Sequence, residues 1–386
     1  MKRILIIIAL FCCIDLFAGR GETPAGSPPY TVAGSYKFLD MTMGAYDTHA
    51  LYALTAPFTQ SFDSLWLPSI IVFNHEYFGH GYRAREFDVD GYPIVTPVIG
   101  FFVTTSPIPN DDADLLITGG GLESDFYAYR LFRERFLMSG SSEYLSFAEM
   151  HRGSGFLYIL LFSPFWGDPY MYSEEINRKY NIGGRSVTIA KNYLGALWML
   201  LDPWTLPSLP VVGSRFESGK YFRLGEAKFL YGTNYYLTPY GGEYDLDLCF
   251  LFKKAYHQLT LRYGDGAEFV FGGVDFTDGS PRTRFGDGAK KMFGGAGWRG
   301  RRIISIANFL HLGGEINGWY EPEYNEGKVE TKRVKGGCAA LQTEVQFGKT
   351  SLEIEGGYKT QGFLPGRGFK EEYFGLLAFN ANLNEL

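Results

Sequence analysis

The pattern of apolar and polar positions changes its period part-way along the chain. Up to about residue 220 the apolar stretches lack clean alternation and read as helices. "LWLPSIIVFNHEYFGHGYRAREF", from Leu65 to Phe87, predicts a helix after Pro68, a residue suited to a first helical turn. In "LESDFYAYRLFRERFLM", Leu122, Phe126, Tyr129, Phe132 and Phe136 recur at helical spacing, and the preceding "TGGG" reads as a breaker before the helix start. "GFLYILLFSPFW" and "NYLGALWMLLDPW" predict two further apolar helices, each stopped by proline. The stretch "YPIVTPVIGFFVTTSPIP" (92–109) is uncharged, β-branched and broken by prolines. It predicts a hairpin or loop packed on a site, with a membrane-embedded segment as the alternative.

Beyond about residue 225 the period drops to two. In "YDLDLCFLF", Tyr244, Leu246, Leu248, Phe250 and Phe252 share one parity, while Asp245, Asp247 and Cys249 take the other. "HQLTLRY", "LQTEVQF" and "SLEIEGGY" repeat the alternation, separated by turns such as "PYGG", "YGDG" and "FGDG". About eight to ten strands are expected, as an antiparallel meander that forms a closed barrel or a strongly curved sheet. A membrane barrel with its apolar face outward and a soluble barrel with that face inward produce the same alternation. The expected fold class is therefore α+β: a mostly helical half over 30–220, then an antiparallel β-barrel-like half over 225–386.

Composition shifts the balance towards the envelope. The chain has 386 residues, and 49 Gly, 33 Phe and 27 Tyr suit antiparallel sheets, outer-membrane barrels among them. It opens "MKRILIIIALFCCIDLFAGRG", two basic residues, an apolar run and small residues, the layout of a secretory signal peptide over about residues 1–20. An uncleaved anchor is the alternative for that segment. An exported protein of the outer membrane or periplasm is expected, with membrane association through the β half. Cys12 and Cys13 leave with the leader, and Cys249 and Cys338 either pair or stay as buried thiols. A net charge of −6 without a Lys/Arg stripe argues against nucleic acid as a partner. No stretch reaches the roughly 20-residue apolar span of a transmembrane helix free of proline and charge.

The candidate chemistry lies in "NHEYFGHG", residues 74–81. A catalytic zinc site takes imidazoles and a carboxylate as ligands, and a further carboxylate accepts the proton of the attacking water. His75 and His80 are five apart, and at about 100° per residue a regular helix would separate them by about 140°. A π-type turn absorbs one extra residue, and Gly79 lies where such a turn is needed. The spacing thus predicts a widened turn at or just before Gly79. A variant of the metal reading uses Glu76 and His80, which share a face at four apart.

"HEYFGH" with the following Gly81 resembles the His-Glu-x-x-Gly-His motif of the dipeptidyl peptidase III family of zinc peptidases, over about eight residues. The resemblance implies His75 and His80 as zinc ligands, Glu76 as general base, and a third ligand from an acid on a later helix. Glu123 and Asp125 in "GGGLESDFYAYRLF" are the candidates; Glu123 has the longer reach, and Asp125 is the alternative or orients a ligand histidine from behind. A looser likeness joins "RAREFDVDGYP" to the site-2-type membrane metalloproteases, whose later Asp ligand would correspond to Asp202 in "LLDP".

The remaining polar residues are read more plainly. His151 in "EMHRGSG" and Asp168 in "WGDPY" read as loop residues, and His257 and His311 as parts of the β wall or its lumen. "GGAGWRGRR" lacks the elements of a phosphate loop, and no Gly-x-Ser-x-Gly elbow occurs. Tyr77, Tyr82 and Arg83 are candidates for oxyanion stabilisation. The expected function is that of an exported zinc-dependent hydrolase, a metallopeptidase acting on a peptide or protein. The rival is a non-catalytic envelope β protein on which the helices dock.

Overall fold

The octet falls in the first described helix of the computed structural model, which describes residues 71–96, 99–140, 142–180, 185–206, 221–264, 292–323, 332–348 and 350–381. The expected leader, and the start of the helical half up to residue 70, lie outside the described residues. All described elements belong to one compact unit over 38–386.

Helix α1 is π-helical over Asn74–His80 and continues as α-helix over Gly81–Glu86. A hairpin of β1 (Gly91–Val95) and β2 (Gly100–Thr104) follows. The uncharged 92–109 stretch is thus a hairpin packed on α1, and Gly100 fits it there: a Cβ would lie 2.5 Å from the Glu76 Cγ. Helix α2 runs over Asp111–Ser139. Asn110 caps its start by accepting from the Ala113 N–H at 3.0 Å, and Gly140 at φ 75° ends it. The "TGGG" expected to precede a helix start lies inside α2 instead. Glycine there costs helix propensity, but it lets α1 come close. Helices α3 (Ser142–Phe162), α4 (Asp168–Tyr180) and α5 (Arg185–Met199) follow. No helix among the described residues is long and apolar enough to cross a membrane.

Nine strands follow among the described residues: β3 (Phe222–Leu224), β4 (Ala227–Thr238), β5 (Gly241–Phe252), β6 (Ala255–Gly264), β7 (Phe293–Ala307), β8 (Leu310–Pro322), β9 (Arg333–Phe347), β10 (Thr350–Lys359) and β11 (Glu372–Ala381). They form one antiparallel meander in sequence order, with pairs such as Asp247↔Thr260 and Tyr244↔Tyr263 fixing the register. Among the described residues β3 and β11 are edges that pair no further, so the sheet is not closed into a barrel. Residues 225–226, 253–254, 308–309 and 348–349 turn the chain at one end of the sheet. At the other end lie the tight turn at 239–240, the segment 360–371, and the strand ends Gly264, Phe293, Pro322 and Arg333, between which the chain's longer connections run.

The polarity of the sheet decides which way its alternation points. Asp245, Asp247, Gln258, Arg301 and Glu353 are buried on the inner face, whereas Leu259, Leu261, Ile316, Leu341 and Ile354 are exposed on the outer one. The inner face is charged because α2 lies against it with its own charges. Arg130 donates to Asp245 at 2.8 Å and Asp247 at 3.1 Å, Arg135 to Glu353 at 2.8 Å, and Glu134 pairs with Arg301. Buried pairs add little net stability, yet breaking one costs about 3–5 kcal/mol, so they fix how α2 sits in the sheet. The apolar core lies between helices and sheet, where Leu122 and Phe126 of α2 join Tyr236, Leu237 and Phe363. Cys249 and Cys338 are both free and buried.

Candidate metal centre

The widened turn predicted from the histidine spacing is present. The Gly81 N–H donates to the Glu76 carbonyl, five residues back, and the π segment brings the His75 and His80 rings to 5.0 Å between centroids. Gly79 is needed for a reason beyond the turn. A Cβ on it would lie 2.5 Å from Gly121 Cα and 2.6 Å from the Gly120 carbonyl oxygen. A Cβ on Gly121 would in turn lie 2.3 Å from His75 Nε2. The glycines of α1 and α2 together set the depth at which the imidazoles stand.

The third member of the cluster is Asp168, the first residue of α4. Its Oδ2 is 2.7 Å from His75 Nε2 and 3.1 Å from His80 Nε2. One ligand atom from each of the three lies within 4.8 Å of the others, so the group could hold a metal ion. Asp168 is aimed there by Gly167, whose φ of 83° turns the chain out of α3, and by its own N–H, which donates to Tyr158 Oη at 3.1 Å. Tyr158 also stands edge-on to His75, at 5.4 Å between ring centroids.

The outer nitrogens of both imidazoles are already engaged. His80 Nδ1 donates to the Ile117 carbonyl at 2.6 Å, and His75 Nδ1 donates to Asp125 Oδ2 at 2.9 Å. Each bond places a proton on Nδ1, so that in the neutral ring Nε2, beside Asp168, is the atom that can bind a cation, the arrangement outer partners impose on metal-ligating histidines. Asp125 also accepts from His151 Nδ1 at 3.1 Å, so one carboxylate bridges two imidazoles. Glu76 lies beside the cluster, its Oε2 3.9 Å from His80 Nε2 and without a hydrogen-bond partner. Phe102 of β2 stacks on His80 and closes that side.

Electrostatics favour positive charge at this point. Burial opposes a charged His75, but hydrogen bonds to Asp125 and Asp168 outweigh it and hold the pKa well above the ordinary imidazole value. His80 is raised also, Asp168 outweighing burial. Burial likewise opposes ionised Asp168, yet the two histidines outweigh it and hold its carboxyl below the usual range. Burial pushes the Glu76 carboxyl up, ahead of the opposing attraction of His80. Protons on the imidazoles or a divalent cation between them answer the same excess of carboxylates.

Comparison with known protein families, with curated proteins and with solved structures finds no match.

The structure brings His75, His80 and Glu76 together and distributes the acidic candidates differently. Glu123 accepts from Arg83 Nε and Nη2 at 2.9 and 2.7 Å and from the Gly366 N–H at 2.9 Å, within a buried ion pair. Asp125 occupies the position behind His75. Asp202 accepts from Tyr129 Oη at 2.6 Å, away from the cluster. Arg83 spans Glu86 and Glu123, Tyr82 is buried, and Arg85 lies over the Tyr77 ring.

Two residues read from sequence as loop polars belong to this region. His151 lies in α3 and Asp168 starts α4. The sequence signal for Asp168 was local: Asp before Pro marks a helix start, but nothing in "WGDPY" ties it to a histidine 93 residues away. Replacing Asp125 with asparagine, which cannot accept from both imidazoles through carboxylate oxygens, is expected to weaken metal binding roughly 10- to 100-fold. Zinc titration with a competing chelator measures this.

Proposed function

We propose that the chain is an exported, envelope-associated zinc-dependent hydrolase, acting on a peptide or other amide bond, with the outer membrane or periplasm as its compartment. The observation that carries the reading is the convergence of His75 Nε2 and His80 Nε2 on Asp168 Oδ2 while both Nδ1 atoms are held from behind. Two imidazoles and one carboxylate are a ligand set typical of catalytic zinc, which keeps a further position open. The resemblance of "HEYFGH" to a zinc-peptidase motif supports the same assignment for His75, His80 and Glu76.

A bound zinc would supply Lewis acidity, polarising a carbonyl and acidifying water. The protein's own part falls to four residues. Glu76 Oε2, buried without a partner, accepts the proton released as water attacks and can pass it to the leaving amine. Asp125 keeps the His75 ring in one orientation and tautomer, and the Ile117 carbonyl does so for His80. Phe102 shields His80 from bulk water, so that the charges act in a low-dielectric setting.

Purified mature protein is expected to carry about one zinc per chain. Glu76→Gln should keep that zinc and lose hydrolysis of peptide substrates. Wild-type protein that takes up no zinc after exhaustive dialysis against it would sink the proposal. A second reading, a non-catalytic envelope protein stapled by its metal, draws on the ion pairs that lock α2 into the sheet. It predicts that Glu76→Gln changes no hydrolytic rate.

A further inference from the structure

We propose that the outer face of the sheet is a lipid-contacting wall in an outer-membrane-type bilayer, with the end that carries the metal centre turned to the cell exterior. The proposal rests on the envelope reading and names its partner and orientation.

The first observation is the inverted polarity. In a soluble sandwich or barrel the charges would face water, but here they are buried in ion pairs and the aliphatic side chains are outside. Leu341 is 79% exposed and Ile316 62%. A monomer in water rarely leaves so continuous an apolar face uncovered.

The second observation is the order of side chains along the strands. Leu259, Leu261, Ile316, Leu341 and Ile354 lie in the middle stretches of β6, β8, β9 and β10. Exposed aromatics lie at the ends: Tyr263, Tyr320 and Tyr373 at the end of the long connections, Phe252, Phe309 and Phe347 at the other. An aliphatic band between two aromatic girdles fits a bilayer, where ring side chains prefer the two interfaces. A second protein copy or a soluble partner has no such two-ended requirement. Lys335, the exposed cation opposite Tyr320, also lies at a strand end, where its ammonium can reach the headgroups. The strands are long enough: β5, β6 and β10 hold 12, 10 and 10 residues, against about 9–11 for a tilted span. Hydrocarbon tolerates no unpaired backbone, so β11, β3 and the part of β4 beyond Phe229 need further partners in the inserted form.

The third observation gives the direction. Outer-membrane sheets place short turns inside and long connections outside. The strand ends Leu224, Phe252, Ala307 and Phe347, each followed by a short turn, define the inner end, and Gly264, Pro322 and Lys359, each followed by a longer stretch of sequence before the next strand, define the outer one. The helices of the metal centre are tied to the outer end. Tyr172 of α4 donates to the Thr238 carbonyl at 2.6 Å, Glu123 of α2 accepts from Gly366 N–H at 2.9 Å, and Glu86 of α1 from the Phe369 N–H. The centre thus faces what lies outside the cell.

The test uses the full chain expressed with its leader in a bacterium having two membranes. Cysteine replaces one exposed residue at each end, Gln361→Cys and Lys254→Cys; the native Cys249 and Cys338 are buried, and the wild type gives the background. Intact cells receive a membrane-impermeant maleimide. The proposal expects the protein in the alkali-washed outer-membrane pellet, with Gln361→Cys labelled as fully as in permeabilised cells and Lys254→Cys labelled only after permeabilisation. The reverse labelling, equal labelling of both, or protection of both in a membrane-bound protein overturns the orientation. Recovery in the soluble fraction without detergent overturns the bilayer contact. Neither readout needs bound metal, so loss of the hydrolase reading would leave the result standing.

Discussion

Asp168→Ala is expected to abolish zinc binding at concentrations that saturate the wild type, whereas Glu123→Gln should leave binding in place. Asp168 supplies the one carboxylate oxygen in contact with both Nε2 atoms. Its loss should therefore exceed the roughly 10- to 100-fold effect of removing an outer partner. Glu123→Gln has a different cost. Arg83 is buried, holds Glu123 through Nε and Nη2, and would lose half of its carboxylate partners. Breaking such a pair costs about 3–5 kcal/mol, visible as a lower denaturation midpoint rather than as lost metal. Metal content and unfolding of the two variants, measured side by side, check the assignment. Metal lost from Glu123→Gln and kept by Asp168→Ala would return the ligand role to Glu123.

The second large effect is expected at the helix contact. Gly79→Ala would bring a methyl to 2.5 Å from Gly121 Cα, a backbone atom, and the methyl is itself fixed to the α1 backbone. The contact cannot be relieved by a rotamer change, so α1 and α2 must separate. Overpacking costs about 1–3 kcal/mol and occasionally more, and separation would also carry His75 and His80 away from Asp168. Both stability and zinc affinity should fall together. Gly140→Ala serves as the comparison: it has no neighbour within 4 Å, and its φ of 75° makes the cost one of backbone strain, leaving affinity unchanged. Equal zinc affinity in Gly79→Ala and wild type would remove the contact from the account of the site.

The parts of this centre legible in the sequence were those governed by local geometry. Five-residue spacing between His75 and His80 implied a π turn because no regular helix aligns them, and the turn is there. Alternation past residue 225 implied an antiparallel meander, and the registers bear it out. What stayed hidden depended on distance along the chain. Asp168 reaches the site because α3 and α4 pack against α2, which also carries α1, a tertiary fact that "WGDPY" does not encode. "TGGG" was read by its propensity as a breaker; close packing against Gly79 overrode that propensity and kept it helical. Glu123 accepts from Arg83, one turn beyond His80, a buried guanidinium that gathers Glu86 and Glu123, and no local pattern in the sequence announces that pairing. The direction of the alternating face could not be read from parity alone; α2, with Arg130 and Arg133 inside, sets it.

The charged inner face has a thermal consequence. Heat capacity rises on unfolding when apolar surface is newly wetted and falls when polar surface is. Opening the β half would newly expose Asp247, Glu353 and Arg301 together with buried rings such as Tyr235, Tyr236 and Trp319. The charges offset part of the heat-capacity rise those rings would give on their own. The inner face therefore adds less to the curvature of stability against temperature than an all-apolar face of the same area.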